Sequence, residues 1–203
     1  MWVVKLGGSL AHSSDLNSWL DVFSETSRGR VVIVPGGGSY ADEVRRAQSV
    51  SGFDDDTAHC EALTAMEQFG LSLCGMVENL VPAETESEIQ NILAQERVAV
   101  WMASKLALAD KSIPKSWDVT SDSLAAWLAT RLNAQALILV KSVSLPFLSI
   151  SPSKLSEMGV VDKAFPNFVD CSRYQVRTLH VGQSDLMREA LRSNELVGVN
   201  VVN

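Results

Sequence analysis

The chain has 203 residues, 46% of them hydrophobic and 20% charged, the composition of a globular protein that buries a proper core. Its net charge of −7 leaves no basic excess to neutralise a phosphate backbone. That excludes non-specific nucleic-acid binding and leaves room for a local basic site that takes a small anion.

No apolar run reaches the roughly 18 residues of a membrane span. The N-terminus shows no basic segment before an apolar stretch, so the expected setting is the reducing cytoplasm. Cys60, Cys74 and Cys171 are odd in number and lack CxxC spacing, which reads as buried free thiols rather than a disulfide framework.

The chain opens with a short strand over 2–6 that ends at Gly7, Gly8 and Ser9. Ser13 or Ser14 then caps a helix to about Ser27, with Leu16, Trp19, Leu20 and Phe23 on one face. VVIV at 31–34 is apolar throughout, as suits a parallel strand covered on both sides. Gly36, Gly37 and Gly38 end it, and Ser39 opens a helix to about Gln48.

After the loop SVSGFDDD a long helix is predicted from Asp56 to Asn79, with Leu63, Met66, Phe69, Leu73 and Met76 inward. A shorter helix around Ile89, Ile92 and Leu93 precedes the strand VAVWM. Residues 103–117 read as loop, and a helix capped by Thr120 or Ser121 follows. ALILV at 136–140 and VRTLHV at 176–181 are strands. Between them, 142–170 is irregular apart from a short helix at 152–158. A helix through Leu186 and Leu191 and a strand in LVGVNVV complete the chain. Alternating strands and helices predict an α/β protein with a mostly parallel sheet, whose ligands gather at one sheet edge.

Two strand ends carry glycine clusters, KLGGS and PGGGS, and each leads into a helix. Without a Cβ, the backbone N–H groups there can approach a ligand closely, and a helix N-terminus favours an anion. Lys5 stands just before the first cluster and can offset the charge of a phosphate in flight. Plain turns account for such clusters equally well. Gly36-x-Gly38-x-x-Ala41 also fits a dinucleotide fingerprint, but no second apolar strand ending in an acid follows it. Asp122 in TSDSLAA is either a first-turn acid of a capped helix or a group that holds Lys5 or accepts a proton. The histidines match no zinc spacing, so no protein-held metal is expected. Asp54, Asp55 and Asp56 read as a solvated acidic loop and cap, or as a binder of a cation or a substrate aminium. The Trp and Met side chains read as core.

In register, Lys5-Leu6-Gly7-Gly8-Ser9, Pro35-Gly36-Gly37-Gly38 and Ser121-Asp122-Ser123-Leu124-Ala125 resemble the amino acid kinase family over residues 1–141. VPGGGSYADEVR and SWDVTSDSLAAWLA bring the chain nearest to the branch that makes methanofuran-type one-carbon carriers, the aminomethylfuranmethyl phosphate kinases.

The resemblance implies a three-layer αβα sandwich in one domain, with 1–118 the acceptor half and 119–203 a trimmed nucleotide half. It implies phosphoryl transfer from ATP, with Mg²⁺ on the ATP oxygens, to a small phosphate monoester. Lys5 would stabilise the transferring group, and Gly7, Gly8 and Ser9 would contact nucleotide phosphates. Gly36, Gly37 and Gly38 would bind the acceptor, and Asp122 would orient the lysines. A second phosphate lysine is sought among Lys141, Lys154 and Lys163, with Lys163 favoured. Family members often pair, so a homo-oligomer is possible, and no nucleic acid or membrane partner is implied.

One departure stands out. Where the family shows T-D-x-D-G-[VL], this chain has ALILVKSVSLPFLS, with no acid and no glycine. A kinase for another small phosphate or carboxylate, and a non-catalytic binding relative, therefore stay open as alternatives.

Overall fold

Trp2–Leu6 forms β1, whose five side chains are all buried because the strand lies mid-sheet, covered on both faces. In a computed structural model describing residues 1–202, seven further strands join it. They are β2 (Val31–Pro35), β3 (Leu80–Ala83), β4 (Val98–Trp101), β5 (Ala136–Lys141), β6 (Ser149–Ile150), β7 (Gln175–His180) and β8 (Val199–Val201). The order across the sheet is β3-β4-β2-β1-β5-β7-β8-β6. Every pairing is parallel except β7 with β8.

The helices are α1 (Asp15–Thr26), α2 (Gly38–Ser51), α3 (Asp55–Met76), α4 (Glu86–Ala94) and α5 (Ser104–Ala109), then α6 (Ser121–Arg131), α7 (Pro152–Glu157), α8 (Phe165–Phe168) and α9 (Ser184–Ser193). They cover both faces, giving the expected three layers. Strand alternation divides the core in two. Val3, Val32 and Leu137 face α4 and α6, whereas Val4, Ile33 and Ile138 face α1 and α9. No helix among the described residues is long and apolar enough to cross a membrane.

Several elements differ from the sequence reading. β3 went unpredicted because Pro82 interrupts LVPA, and an edge position tolerates the missing N–H. α5 takes up the first part of the expected loop at 103–117, and its six residues are too few to show a helical period; 110–117 is loop as read. The irregular stretch at 142–170 also holds β6 and α8. α2 and α3 form a helical hairpin between β2 and β3, so no strand follows α2 and the dinucleotide alternative loses its architecture. Met76, expected inward, is half exposed, and the three cysteines are half-buried rather than buried.

The two glycine turns pack backbone against backbone at the carboxyl ends of β1 and β2. The Gly36 N–H donates to the Leu6 carbonyl at 2.8 Å. A Cβ on Gly8 would lie 2.0 Å from the Gly38 nitrogen, and Gly38 itself has a φ of 53°, in the left-handed region. Gly8→Ala is therefore expected to cost about 3 kcal/mol or more, since rigid backbone cannot yield. Gly75→Ala, which meets nothing within 4 Å near the end of α3, should add roughly 0.5–1 kcal/mol. Urea unfolding of both variants checks the contrast.

Candidate functional site

β1 and β5 are adjacent and parallel, with Lys5 beside Leu139. Lys141 stands two residues past Leu139, so it shares a sheet face with Lys5. That face is the one α6 covers. Asp122, in the first turn of α6, meets both lysines: its Oδ1 lies 3.0 Å from Lys5 Nζ and 2.6 Å from Lys141 Nζ. Its Oδ2 accepts from the Asp162 N–H at 3.3 Å.

All three charges are nearly sealed from solvent, with Lys5 at 6% and Asp122 at 5% exposure. Burial works against a charged Asp122, but the Lys5 and Lys141 ammonium groups outweigh it and hold the carboxyl down at about 2. Burial, then repulsion from Lys5, brings Lys141 down to about 8 despite the attraction of Asp122. Two cations share one anion, so the cluster carries a surplus positive charge that an incoming anion would balance.

Asp162 is the residue that sequence reading passed over. Its carboxylate accepts from the Thr120 N–H (3.0 Å) and hydroxyl (2.8 Å), the Ser123 N–H (3.0 Å) and hydroxyl, and the Phe165 N–H (2.9 Å). It supplies the cap of α6 that Thr120 or Ser121 was expected to give, and Thr120's own side chain caps nothing. Only its place beside Lys163 in GVVDKAF hinted at it. Lys163 is not brought to the cluster: it is 81% exposed and pairs with Asp118 on the surface. Lys154 likewise pairs outside, with Glu157.

Gly7 sits against Lys5, whose Nζ is 3.8 Å from where a Cβ would stand. Gly8, Ser9, Gly36, Gly37 and Gly38 border one cleft of about 250 Å³ between the turns and the α2–α3 hairpin. The opening amides of α2 lack helical partners by construction and face an anion favourably. Arg45 on α2 lies 4.3 Å above the Trp117 ring, and the Trp117 indole donates to Gln48 Oε1 at 2.7 Å. Trp117, expected in the core, is thus a wall of the cleft. The three consecutive acids divide. Asp54 caps α3 through the Thr57 N–H, Asp56 pairs with Lys115, and Asp55 lines the cleft.

Beyond Lys141, Val143, Phe147 and Leu148 are exposed on the loop after β5, beside a second cavity of about 180 Å³ shared with His180 and Gln183. No group of three His, Cys, Asp or Glu among the described residues is arranged to hold a metal.

Asp122→Asn would leave two buried ammonium groups facing each other without a counter-charge, at a cost of about 3–5 kcal/mol near neutral pH. Lys141 sits at about 8 against an ordinary 10.5, so the folded chain sheds its proton first as pH rises. Between those values the unfolded state binds more protons, and folding is favoured progressively. Without Asp122 to attract it, Lys141 sheds its proton at lower pH still, so the Asn variant's deficit relative to wild type should be smaller at pH 9.5 than at pH 6, as urea titrations of both proteins at both pH values would measure.

Comparison with known proteins gives the family. The family model described as "Amino acid kinase family" matches residues 1–144. Among curated proteins, the [5-(aminomethyl)furan-3-yl]methyl phosphate kinase of Methanocaldococcus jannaschii is 26% identical over 70% of this chain and 66% of its own length. The acetylglutamate kinase of Colwellia psychrerythraea is 35% identical over 42% of this chain and 33% of its own. The matches thus span just under two thirds and one third of those relatives. Among solved structures, uridylate kinase from Archaeoglobus fulgidus superposes with a TM-score of 0.75 at 19% identity, covering 99% of each chain. UMP kinase from Bacillus anthracis gives 0.71 at 15% identity, over 98% of this chain and 94% of that one. The sheet order, the two opposed glycine turns and the match over residues 1–144 agree that this chain belongs to the amino acid kinase family.

Proposed function

We propose that the chain transfers a phosphoryl group from ATP to a small phosphate monoester held in the cleft between the glycine turns and the α2–α3 hairpin. The observation that carries this reading is the buried Lys5–Asp122–Lys141 cluster, with its surplus positive charge, beside two glycine turns.

The acceptor's own phosphate oxygen attacks the γ-phosphorus in line. Its new O–P bond forms as the bond to the bridging oxygen breaks, and that oxygen leaves on ADP with the electron pair. The acceptor phosphate is an anion already, so no protein base is required, and catalysis consists of positioning and charge neutralisation. Lys5 offsets charge on the transferring group, next to Gly7. Gly7, Gly8 and Ser9 offer their backbone to the nucleotide phosphates, and Lys141 adds the second cation. Gly36, Gly37 and Gly38, at the head of α2, hold the acceptor phosphate. Asp122 keeps both lysines aimed, and Asp162 fixes the turn that carries Asp122.

The exposed apolar loop at Val143, Phe147 and Leu148 offers surface for a nucleoside, in place of the acidic segment that this chain lacks. Both carboxylates near the cluster are committed, Asp122 to lysines and Asp162 to a helix cap. Among the described residues, no group of acids is therefore arranged to hold Mg²⁺ there, and none of the roles above depends on the ion.

The finer reading, an acceptor of the aminomethylfuran-methyl phosphate type, is supported by the Methanocaldococcus relative. Lys5→Met should lower kcat by about 10²–10³ with the unfolding midpoint little changed, measured by ADP release with that ester. Wild-type turnover in this variant would place the chemistry elsewhere. ATP should also raise the Lys141 pKa. Calorimetry in buffers of differing ionisation enthalpy should then show proton uptake on ATP binding near pH 8.5, little at pH 6.5, and none in Lys141→Met.

A further inference from the structure

His59 is buried, at 6% exposure, and borders the same cleft. It lies on α3 one turn beyond Asp55, and Ala62, Leu63 and Met66 continue the same stripe toward the sheet. Its ring has no hydrogen-bond or ion-pair partner among the described residues. The only fully sealed polar side-chain atoms without a partner there are Ser27 Oγ and Trp101 Nε1. The His59 ring nitrogens are thus not sealed off, and the residue lines the cleft.

Resting on the phosphotransfer reading above, we propose that His59 and Asp55 together read the end of the acceptor remote from its phosphate, and that this end carries a primary ammonium group. Three features argue for a cation. First, among the acids and bases that line the cleft, Asp55 is the one without an opposite charge paired to it. Arg45 pairs with Asp42, and Lys115 pairs with Asp56. Asp55 has no cation within ion-pair reach and only the Gln48 amide, at 2.9 Å, as a hydrogen-bond partner. Second, burial and then the nearby Lys115 lower the His59 pKa more than Asp56 raises it, so the ring is neutral at physiological pH and offers a lone pair. A carboxylate and an imidazole lone pair make an end suited to a donor-rich group. Third, the walls between them and the phosphate cradle are apolar, formed by Ala62, Leu63, Met66 and Val119.

The dimensions agree. From Gly38 to Gln48 the backbone of α2 rises about 15 Å, and Asp55 bonds Gln48 at that far end. One turn of the returning α3 brings His59 back by about 5 Å, roughly 10 Å from the cradle. A single small ring with a short arm on each side covers that distance.

The test is calorimetric titration of the full chain with [5-(aminomethyl)furan-3-yl]methyl phosphate, and with the ester bearing hydroxymethyl in place of aminomethyl. The amine ester should bind about 10–100-fold more tightly. His59→Gln and Asp55→Asn should each shrink that ratio while leaving ATP affinity unchanged. The His59 ring resonances should shift with the amine ester and stay put with the other. Asp55 is exposed, so its variant keeps the test valid where the His59 variant folds poorly. Equal affinity for the two esters, a ratio that both variants preserve, or binding of neither ester overturns the proposal. Turnover of both esters alongside equal affinity would leave phosphoryl transfer standing, whereas ATP turnover with no small phosphate or carboxylate would remove that reading too.

Discussion

One carboxylate oxygen shared by two ammonium groups sets the terms for this molecule. Asp122 Oδ1 lies within 3.0 Å of Lys5 and 2.6 Å of Lys141. A cluster like this is unfavourable in isolation, because three charges lose their water and one cation remains unbalanced. Its survival depends on structure that leaves it no alternative. β1 and β5 must be neighbours in parallel register, so that residues 5 and 141 fall on one face. α6 must start where those strands end. Asp162 must hold that start, since it ties Thr120 and Ser123 while its own N–H reaches Asp122. The stretch from β5 to α8 is therefore part of the site even though much of it looks irregular in sequence.

The glycine turns show why a structural and a functional explanation need not compete. The turns pack so closely that a Cβ on Gly8 or Gly36 would come within 2.0 Å or 2.6 Å of the opposing backbone. Glycine is demanded there by packing alone. That same packing brings two strand ends together and bares the first turn of α2 to the cleft. Close approach of backbone to backbone is thus what makes close approach of backbone to phosphate available.

What the sequence made legible follows from how local each signal is. β1, β2, β4 and β5 were readable because apolar β-branched runs bounded by glycine or polar residues need no partner to be recognised. β3 was hidden by a proline that only an edge position excuses, and α5 by its brevity. In the site, Lys5 and Asp122 were visible as motif members. Lys141 was visible as a candidate, but its place beside Lys5 depends on a strand register spanning most of the chain. Lys163 seemed the better candidate because GVVDKAF looked purposeful. The purpose belongs to its neighbour Asp162, whose five donors belong to three residues, two of them about 40 positions away in the chain. Nor does the sequence distinguish His59 from a satisfied core histidine. Its distinction is the missing partner, which only packing reveals.

The α2–α3 hairpin and the lysine cluster are carried by different elements of the fold. At its base, Gly70 fits so tightly that a Cβ would come 2.9 Å from Met102 Cε and 3.2 Å from Pro35 Cγ, which locks α3 to the strand ends. At its tip, Gly52 adopts the left-handed conformation with open space around it, and polar contacts do the holding: Gln48 to Asp55 and Trp117, and Asp56 to Lys115. Asp55, His59 and Arg45 lie along the cleft side of this hairpin. On the proposed assignment, substitutions at Asp55 and His59 would change what the cleft accepts without disturbing Lys5, Asp122 or Lys141, which belong to other elements. A fold arranged this way can keep one phosphate chemistry while its acceptors diverge. That is consistent with relatives whose names span a furan phosphate and an N-acylated amino acid.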